Sequence, residues 1–148
     1  MSTAPITELR LSRDFAASAD ALFALFTDPE QLAVWFGPAA FTVPFESVVV
    51  ELKEGGDWGL SMVETATGRA YPVRGTIVSF AEAAALDLRL DADTGDETLH
   101  DVALRIRFHD GGLELEQGPF TVQQRDRTAE GWELSFQKID AILAAHRA

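Results

Sequence analysis

The stretch DPEQLAVWFGP, residues 28–38, is the most informative part of the chain. Asp28 predicts the end of one helix and the cap of the next, because a residue that precedes proline avoids the helical region. Pro29 suits the first position of the second helix, and Gly37-Pro38 predicts where that helix ends. A second tryptophan motif, Gly131-Trp132, opens a long amphipathic segment near the other end.

A strand and a helix are predicted ahead of that stretch. Apolar and polar residues alternate over residues 9–15, which favours a strand with one buried face. Ser18 is a suitable cap for the following helix, whose apolar face falls within residues 22–26. The second helix then follows directly at residue 29, so two short helices are expected after the first strand.

Residues 41–118 have the pattern of strands and turns, about six strands in all. Clean alternation at residues 102–109 indicates one buried and one solvated face, as in an antiparallel sheet. Residues 41–52 are predicted as one long run that Pro44 interrupts at an edge or a bulge. Gly111-Gly112 predicts a hairpin turn.

A long helix is predicted at the end of the chain. Thr128 is taken as its cap, and Trp132, Phe136 and Ile139 recur at helical spacing. About twenty helical residues would cover roughly 30 Å, enough to cross the sheet. The predicted fold is therefore α+β: a curved antiparallel β-sheet wrapped around a long C-terminal α-helix, in a single domain spanning residues 1–148.

Composition narrows the function classes. The apolar fraction of 47% is typical of a globular protein, and the absence of cysteine excludes disulfides and thiolate catalysis. The net charge of −12 argues against nucleic acid as a partner, since phosphate backbones require clustered cations. Residues 1–5 do not resemble a signal peptide, and no apolar run approaches the ~20 residues of a membrane span. A cytoplasmic protein is expected.

This order of elements resembles the helix-grip fold of the SRPBCC superfamily, which contains START and birch-pollen-allergen proteins. Within it, the chain is most similar to the bacterial homologues of the activator of heat-shock-protein-90 ATPase. The resemblance rests on Arg13, Phe15, Leu22-Phe23, Thr27-Asp28-Pro29, Leu32, Trp35-Phe36-Gly37-Pro38, Phe41-Thr42-Val43, Gly55-Gly56, Tyr71-Pro72-Val73, Gly75 and Gly131-Trp132.

The resemblance is specific for fold and weak for function, because the superfamily includes lipid carriers, hormone receptors, cyclases and co-chaperones. It implies lipid binding or a role in the stress response as functions to consider. Residues 83–86 and 91–101 depart from the family pattern. The predicted single domain would also lack the second domain that the eukaryotic activators carry.

Motifs for metals, cofactors and nucleophiles fail on spacing. Residues 91–97 miss the calcium-loop positions for glycine and glutamate. His100 and His109 lie an odd number apart in one predicted strand and should face opposite sides, while His146 is in the last helical turn. Residues 55–59 form no phosphate loop, and no G-x-S-x-G element occurs. No catalytic residue, metal or cofactor is predicted.

Aromatic and apolar residues are predicted to line a cavity between the sheet and the last helix. The expected ligand is a hydrophobic or amphipathic small molecule, held by apolar contacts and oriented by one or two polar groups. The candidate ligand-binding residues are Trp35, Phe36, Phe41, Trp58, Met62, Tyr71, Trp132, Phe136, Ile139, Arg13 and His100.

Two of these candidates have alternative interpretations. Arg13 shares the inward face of its strand and must be paired, either with a carboxylate such as Glu46 or Glu64 or with a ligand carboxylate. His100 is in phase with Val102, so it reaches either the cavity mouth as a polar tip or general base, or the surface at a strand end.

Two other function classes remain open from the sequence. One is a cyclase or hydrolase that uses the same cavity, with His100, Tyr71, Glu64 and Arg13 as the available polar groups. The other is a chaperone-associated interaction module, which needs an exposed docking patch. A homodimer formed through a strand edge or the short helices is a further expectation.

Overall fold

The computed structural model of the protein describes residues 6–94 and 97–145. The predicted order of elements is confirmed, with seven strands between the short helices and the last helix rather than about six, so that the described residues contain eight strands in all. In chain order the elements are β1 Ile6–Asp14, α1 Ala19–Thr27, α2 Pro29–Trp35, β2 Phe41–Thr42, a 3₁₀ turn Phe45–Ser47, β3 Val49–Val50, β4 Asp57–Glu64, β5 Ala70–Ala81, β6 Ala85–Asp93, β7 Thr98–His109, β8 Gly112–Thr121 and α3 Val122–Ala145.

The strands form one curved antiparallel sheet in the order β1-β8-β7-β6-β5-β4-β2, with β3 also paired to β4. Helix α3 packs against β1 and β8, and α1 packs against β7 and β8. The apolar core lies between the sheet and the helices, as the alternation of the strands requires. The predicted α+β helix-grip fold is therefore confirmed.

Both predicted caps of the short helices are present. The Ser18 hydroxyl accepts a hydrogen bond from the Ala21 N–H at 3.2 Å. The Asp28 carboxylate accepts one from the Glu30 N–H at 3.0 Å. Each satisfies a backbone donor that a helix start leaves without an intrahelical partner.

The prediction that Thr128 caps the last helix is wrong. Helix α3 begins at Val122, directly after β8, and the Thr128 hydroxyl donates to the Gln124 carbonyl within the helix at 2.7 Å. The cap is Thr121, whose hydroxyl accepts from the Gln124 N–H at 3.2 Å, while the Gln124 side chain accepts from the Thr121 N–H at 2.9 Å. This reciprocal pair is a capping box, and it extends the helix to 24 residues.

The prediction of one long run at residues 41–52 is also wrong. The chain pairs only at Phe41–Thr42 and Val49–Val50, with a 3₁₀ turn at Phe45–Ser47 between them. Pro44 has no N–H to give to a ladder, and its carbonyl accepts from both the N–H and the hydroxyl of Ser47. Within the described residues, no helix is long and apolar enough to cross a membrane.

Candidate ligand cavity

A cavity of about 330 Å³ lies between the first half of α3 and the sheet. The segment that follows α2 forms one side, and strands β4 to β8 form the floor. Most of the wall is apolar. Its large apolar members are Phe36, Phe41, Met62, Val73, Leu90, Leu99 and Trp132.

Four of the residues predicted from the sequence lie in this wall: Phe36, Phe41, Met62 and Trp132. Phe36 ends α2 and packs edge-to-face on Trp132, with ring centroids 5.9 Å apart. Gly37, at φ +92°, then turns the chain towards Phe41. A side chain at Gly37 would place its Cβ 3.2 Å from the Met62 sulfur, so this glycine keeps the two wall segments close.

Trp35 and Trp58 lie behind the wall, which corrects their predicted place in it. Both are fully buried, and their indole N–H groups donate to the carbonyls of Leu25 at 2.7 Å and Phe26 at 2.9 Å. These carbonyls belong to the last turn of α1, where no intrahelical donor is available. The two tryptophans therefore supply hydrogen-bond donors to the end of a helix and do not face the cavity.

Phe136 and Ile139 are also buried outside the cavity wall. Phe136 stacks on Trp132, with ring centroids 5.4 Å apart, and meets Phe15, the residue after β1, edge-on at the same separation. The apolar stripe of α3 thus faces the cavity in its first half and the core beside β1 in its second half. Tyr71 contacts Phe41 edge-on at 5.6 Å and supports the wall from outside.

Arg13 forms an ion pair, as one of its two interpretations required, but with other partners than Glu46 or Glu64. Its guanidinium contacts Asp140 of α3 at 2.6 Å and Glu133 of α3 at 3.1 Å. Hydrogen bonds to Asp140 and then to Glu133 raise the pKa of Arg13. This network fastens β1 to α3 and does not reach the cavity.

His100 is exposed over 74% of its side chain and does not line the cavity. The reason is a β-bulge: Leu90 pairs with Val102 but Ala92 pairs with Leu99, so two residues of β7 oppose one of β6. A one-residue insertion reverses the faces that follow, so Leu99 points inward in place of His100. His100 and His109 are both exposed as a result, contrary to the opposite faces expected from their spacing.

Two polar residues of the wall were missed by the sequence analysis. Gln117 is 8% exposed and Ser135 is 4% exposed, and both line the cavity. The Gln117 carbonyl oxygen accepts from the Trp132 indole N–H at 2.8 Å. The alternation that points Leu113 and Leu115 inward also points Gln117 inward, so this residue could have been found by extending the pattern of β8.

The charged groups that line the cavity belong to its open end. Glu97 and Arg127 are exposed, and Asp93 is partly exposed. The Gln124 amide donates to the Glu97 carboxylate at 2.9 Å, which joins the start of α3 to the residues ahead of β7. The cavity therefore has a charged mouth and an apolar interior.

None of the four residues that an acid–base mechanism was expected to use lies in the wall. Arg13 is held by α3 and His100 is in solvent, while Tyr71 lies outside Phe41. Glu64 accepts a hydrogen bond from the Thr67 hydroxyl at 2.7 Å. Across residues 6–94 and 97–145, no three His, Asp or Glu side chains are grouped to hold a metal ion.

The fold and the cavity define a helix-grip domain of the SRPBCC type. Residues 16–144 match the family described as "Activator of Hsp90 ATPase homolog 1-like protein". This match covers most of the chain, so the protein belongs to that family. The resemblance drawn from the sequence is thereby confirmed.

Solved structures agree with this assignment. An AHSA1 protein from Silicibacter pomeroyi is 26% identical over 95% of this chain and 99% of its own, with a TM-score of 0.82. A protein from Chromobacterium violaceum is 19% identical over 92% and 96% of the two chains, with a TM-score of 0.79. One from Rhodobacter sphaeroides is 21% identical over 95% and 98%, with a TM-score of 0.77. No curated protein shows significant similarity to the chain.

Proposed function

We propose that this protein binds a hydrophobic or amphipathic small molecule in the cavity beneath the first half of α3. The observation that carries the proposal is an apolar wall in which, among the described residues, Gln117 and Ser135 are the only buried polar side chains. Small-molecule sites have this composition, in which apolar contacts supply affinity and a few polar groups supply orientation.

The volume limits the size of the ligand. About 330 Å³ lies at the lower end of the range for small-molecule sites. A compact molecule fits inside, whereas a long-chain lipid would have to extend through the mouth. Apolar burial supplies about 25 cal/mol for each Å² removed from water.

The test is native mass spectrometry of the protein after incubation with a small-molecule extract of its own host. Ala92 lines the cavity on β6, so Ala92→Phe fills part of the volume. Ala103 lies on β7 between the buried residues Val102 and Leu104, and therefore faces outward. Ala103→Phe is the matched control, since it adds the same side chain to the opposite face of the sheet.

The wild type and Ala103→Phe should both retain the added mass of a bound molecule from the extract. Ala92→Phe should not retain it. The proposal fails if the wild type retains no added mass. It also fails if Ala92→Phe retains the same mass to the same extent, because the ligand would then lie elsewhere.

A further inference from the structure

Gln117 lies on the inward face of β8, at a position where the alternation of the strand predicts an apolar residue. It follows Leu113 and Leu115 on the inward face of β8, and all three are buried. Burying an amide is costly unless its polar atoms find partners. An amide at this place therefore needs an explanation that packing alone does not give.

The hydrogen bond with Trp132 fixes which way the amide points. An indole N–H can only donate, so the atom that faces it at 2.8 Å is the Gln117 oxygen. The amide NH₂ makes no hydrogen bond within residues 6–94 and 97–145. No side-chain N or O atom of those residues is both enclosed and unpaired, so this NH₂ is open to the cavity that Gln117 lines.

Ser135 presents a second donor to the same space. It lies one helical turn after Trp132 on α3, lines the cavity and is 4% exposed. In the described part of the chain its hydroxyl bonds to no other group, including the carbonyl of Gly131 one turn earlier. By contrast, the Thr128 hydroxyl, which also lines the cavity, is already bonded to the Gln124 carbonyl.

Among the residues that the structure describes, no charged side chain lies beside these two donors. The ionisable residues of the wall, Asp93, Glu97 and Arg127, belong to the open end, and the buried part of the wall is neutral. An ionised ligand group placed beside Gln117 and Ser135 would lose its hydration without gaining a counter-charge, which is strongly unfavourable. A neutral acceptor satisfies both donors without that cost.

We propose that the ligand carries a neutral hydrogen-bond acceptor, such as a ketone, ester or amide carbonyl, at the end that enters first. The Gln117 NH₂ and the Ser135 hydroxyl donate to this oxygen, and the apolar remainder of the ligand contacts Phe36, Met62 and Trp132. This inference rests on the proposed function and specifies the chemical class of the molecule that the cavity takes.

The test compares three probes of equal non-hydrogen atom number by isothermal titration calorimetry: benzylacetone, which is a neutral ketone, hydrocinnamate, which is a carboxylate, and pentylbenzene, which is a hydrocarbon. The variants are Gln117→Leu and Ser135→Ala. Thr76→Ala is the control, because Thr76 is exposed on β5 and does not line the cavity. Gln117→Leu also unpairs the Trp132 indole, whereas Ser135→Ala does not. The readout is the ratio of ketone to hydrocarbon affinity, which general damage to the cavity leaves unchanged.

For the wild type and Thr76→Ala, benzylacetone should bind more tightly than hydrocinnamate. Gln117→Leu and Ser135→Ala should each lower the ketone-to-hydrocarbon ratio about three- to tenfold, the loss expected for one hydrogen bond. A ratio that is unchanged in either variant overturns the proposal, as does hydrocinnamate binding as tightly as benzylacetone. If ketone and hydrocarbon both bind but the ratio does not change, only this inference fails. If none of the three probes binds, the proposed function fails with it.

Discussion

At the scale of single residues, the three tryptophans form two kinds of contact, and their sequence context does not indicate which tryptophan forms which. Trp35 and Trp58 donate to the last-turn carbonyls of α1, while Trp132 lines the cavity and fixes the Gln117 amide. A sequence pattern indicates that an aromatic residue points inward. It does not indicate whether an indole N–H will find a backbone carbonyl, because that depends on how α1 and α2 pack.

Replacing Trp35 or Trp58 by phenylalanine tests this division. Each change keeps an aromatic ring but leaves a buried carbonyl unpaired, so the free energy of unfolding should fall by about 1–3 kcal/mol. Urea denaturation measures the loss. The affinity for benzylacetone should stay unchanged in both variants. Weakened benzylacetone binding by folded Trp35→Phe or Trp58→Phe protein would contradict the division.

Lys138 provides a pH-dependent prediction. Burial lowers the pKa of Lys138 below its usual 10.5, and its ammonium group donates to the Phe41 carbonyl at 3.0 Å. Just below pH 10.5 the unfolded chain therefore holds this proton more tightly than the folded protein does. Stability rises with pH wherever the unfolded state binds more protons.

The comparison that isolates this effect is wild type against Lys138→Met. The free energy of unfolding of the wild type, relative to the variant, should increase as the pH rises towards 10.5. Urea denaturation at several pH values measures the difference, and the other titrating groups cancel. A relative stability that falls over this range would show that the folded state favours the charged lysine.

At the scale of elements, a helix end is predicted correctly where the residues that determine it are close together in the sequence. Ser18 and Asp28 were identified as caps because a cap needs only its own helix start. The start of α3 is not predicted correctly, although Thr121-Val122-Gln123-Gln124 has the capping-box pattern. Thr128 is predicted as the cap because it lies just ahead of the Gly131-Trp132 motif. Strand β7 was placed well, but its bulge at Asp101 was not, because nothing local marks that residue's φ of +54°.

The two threonines near the start of α3 separate the observed cap from the expected one. Thr121→Ala removes the cap and should lower the free energy of unfolding by about 0.5–2 kcal/mol. Thr128→Ala removes only a hydroxyl bonded within the helix and should change it by less than about 0.5 kcal/mol. Thermal or urea unfolding of the two variants provides the comparison. A larger loss in Thr128→Ala would mean that the helix starts later.

The Arg13 network joins β1 to α3, two elements at opposite ends of the chain. Its partners could not be predicted, because Glu133 and Asp140 reach Arg13 only when α3 lies across β1. Arg13→Met should lower the free energy of unfolding by about 1–2 kcal/mol, near the upper range for partly exposed ion pairs that form a network.

Arg10→Met is the matched control on the same strand. Arg10 is mostly exposed, and its one ion pair within residues 6–94 and 97–145 is with Glu8 at 3.9 Å, so its replacement should be nearly neutral. Added salt screens exposed charges, so the loss caused by Arg13→Met should shrink at high ionic strength. Equal losses for the two variants, measured by urea denaturation, would contradict a special role for the network.

At the scale of the whole molecule, the fold was predictable and the cavity was only partly so. The order of strands and helices, with the tryptophan motifs, is enough to indicate the helix-grip fold. The position of the cavity depends on how far the apolar stripe of α3 turns along its length. That turn separates Trp132, which faces the cavity, from Phe136 and Ile139, which pack beside β1.

The central claim is that the space between α3 and the sheet is a ligand site. The most direct test is an NMR titration of uniformly ¹⁵N-labelled protein with benzylacetone. We expect saturable shifts at the backbone amides of Met62, Leu90, Gln117 and Ser135 and at the Trp132 indole, with those of Arg74 and Arg107 on the outer face unchanged. An absence of saturable shifts, or shifts confined to the outer face of the sheet, would contradict the account.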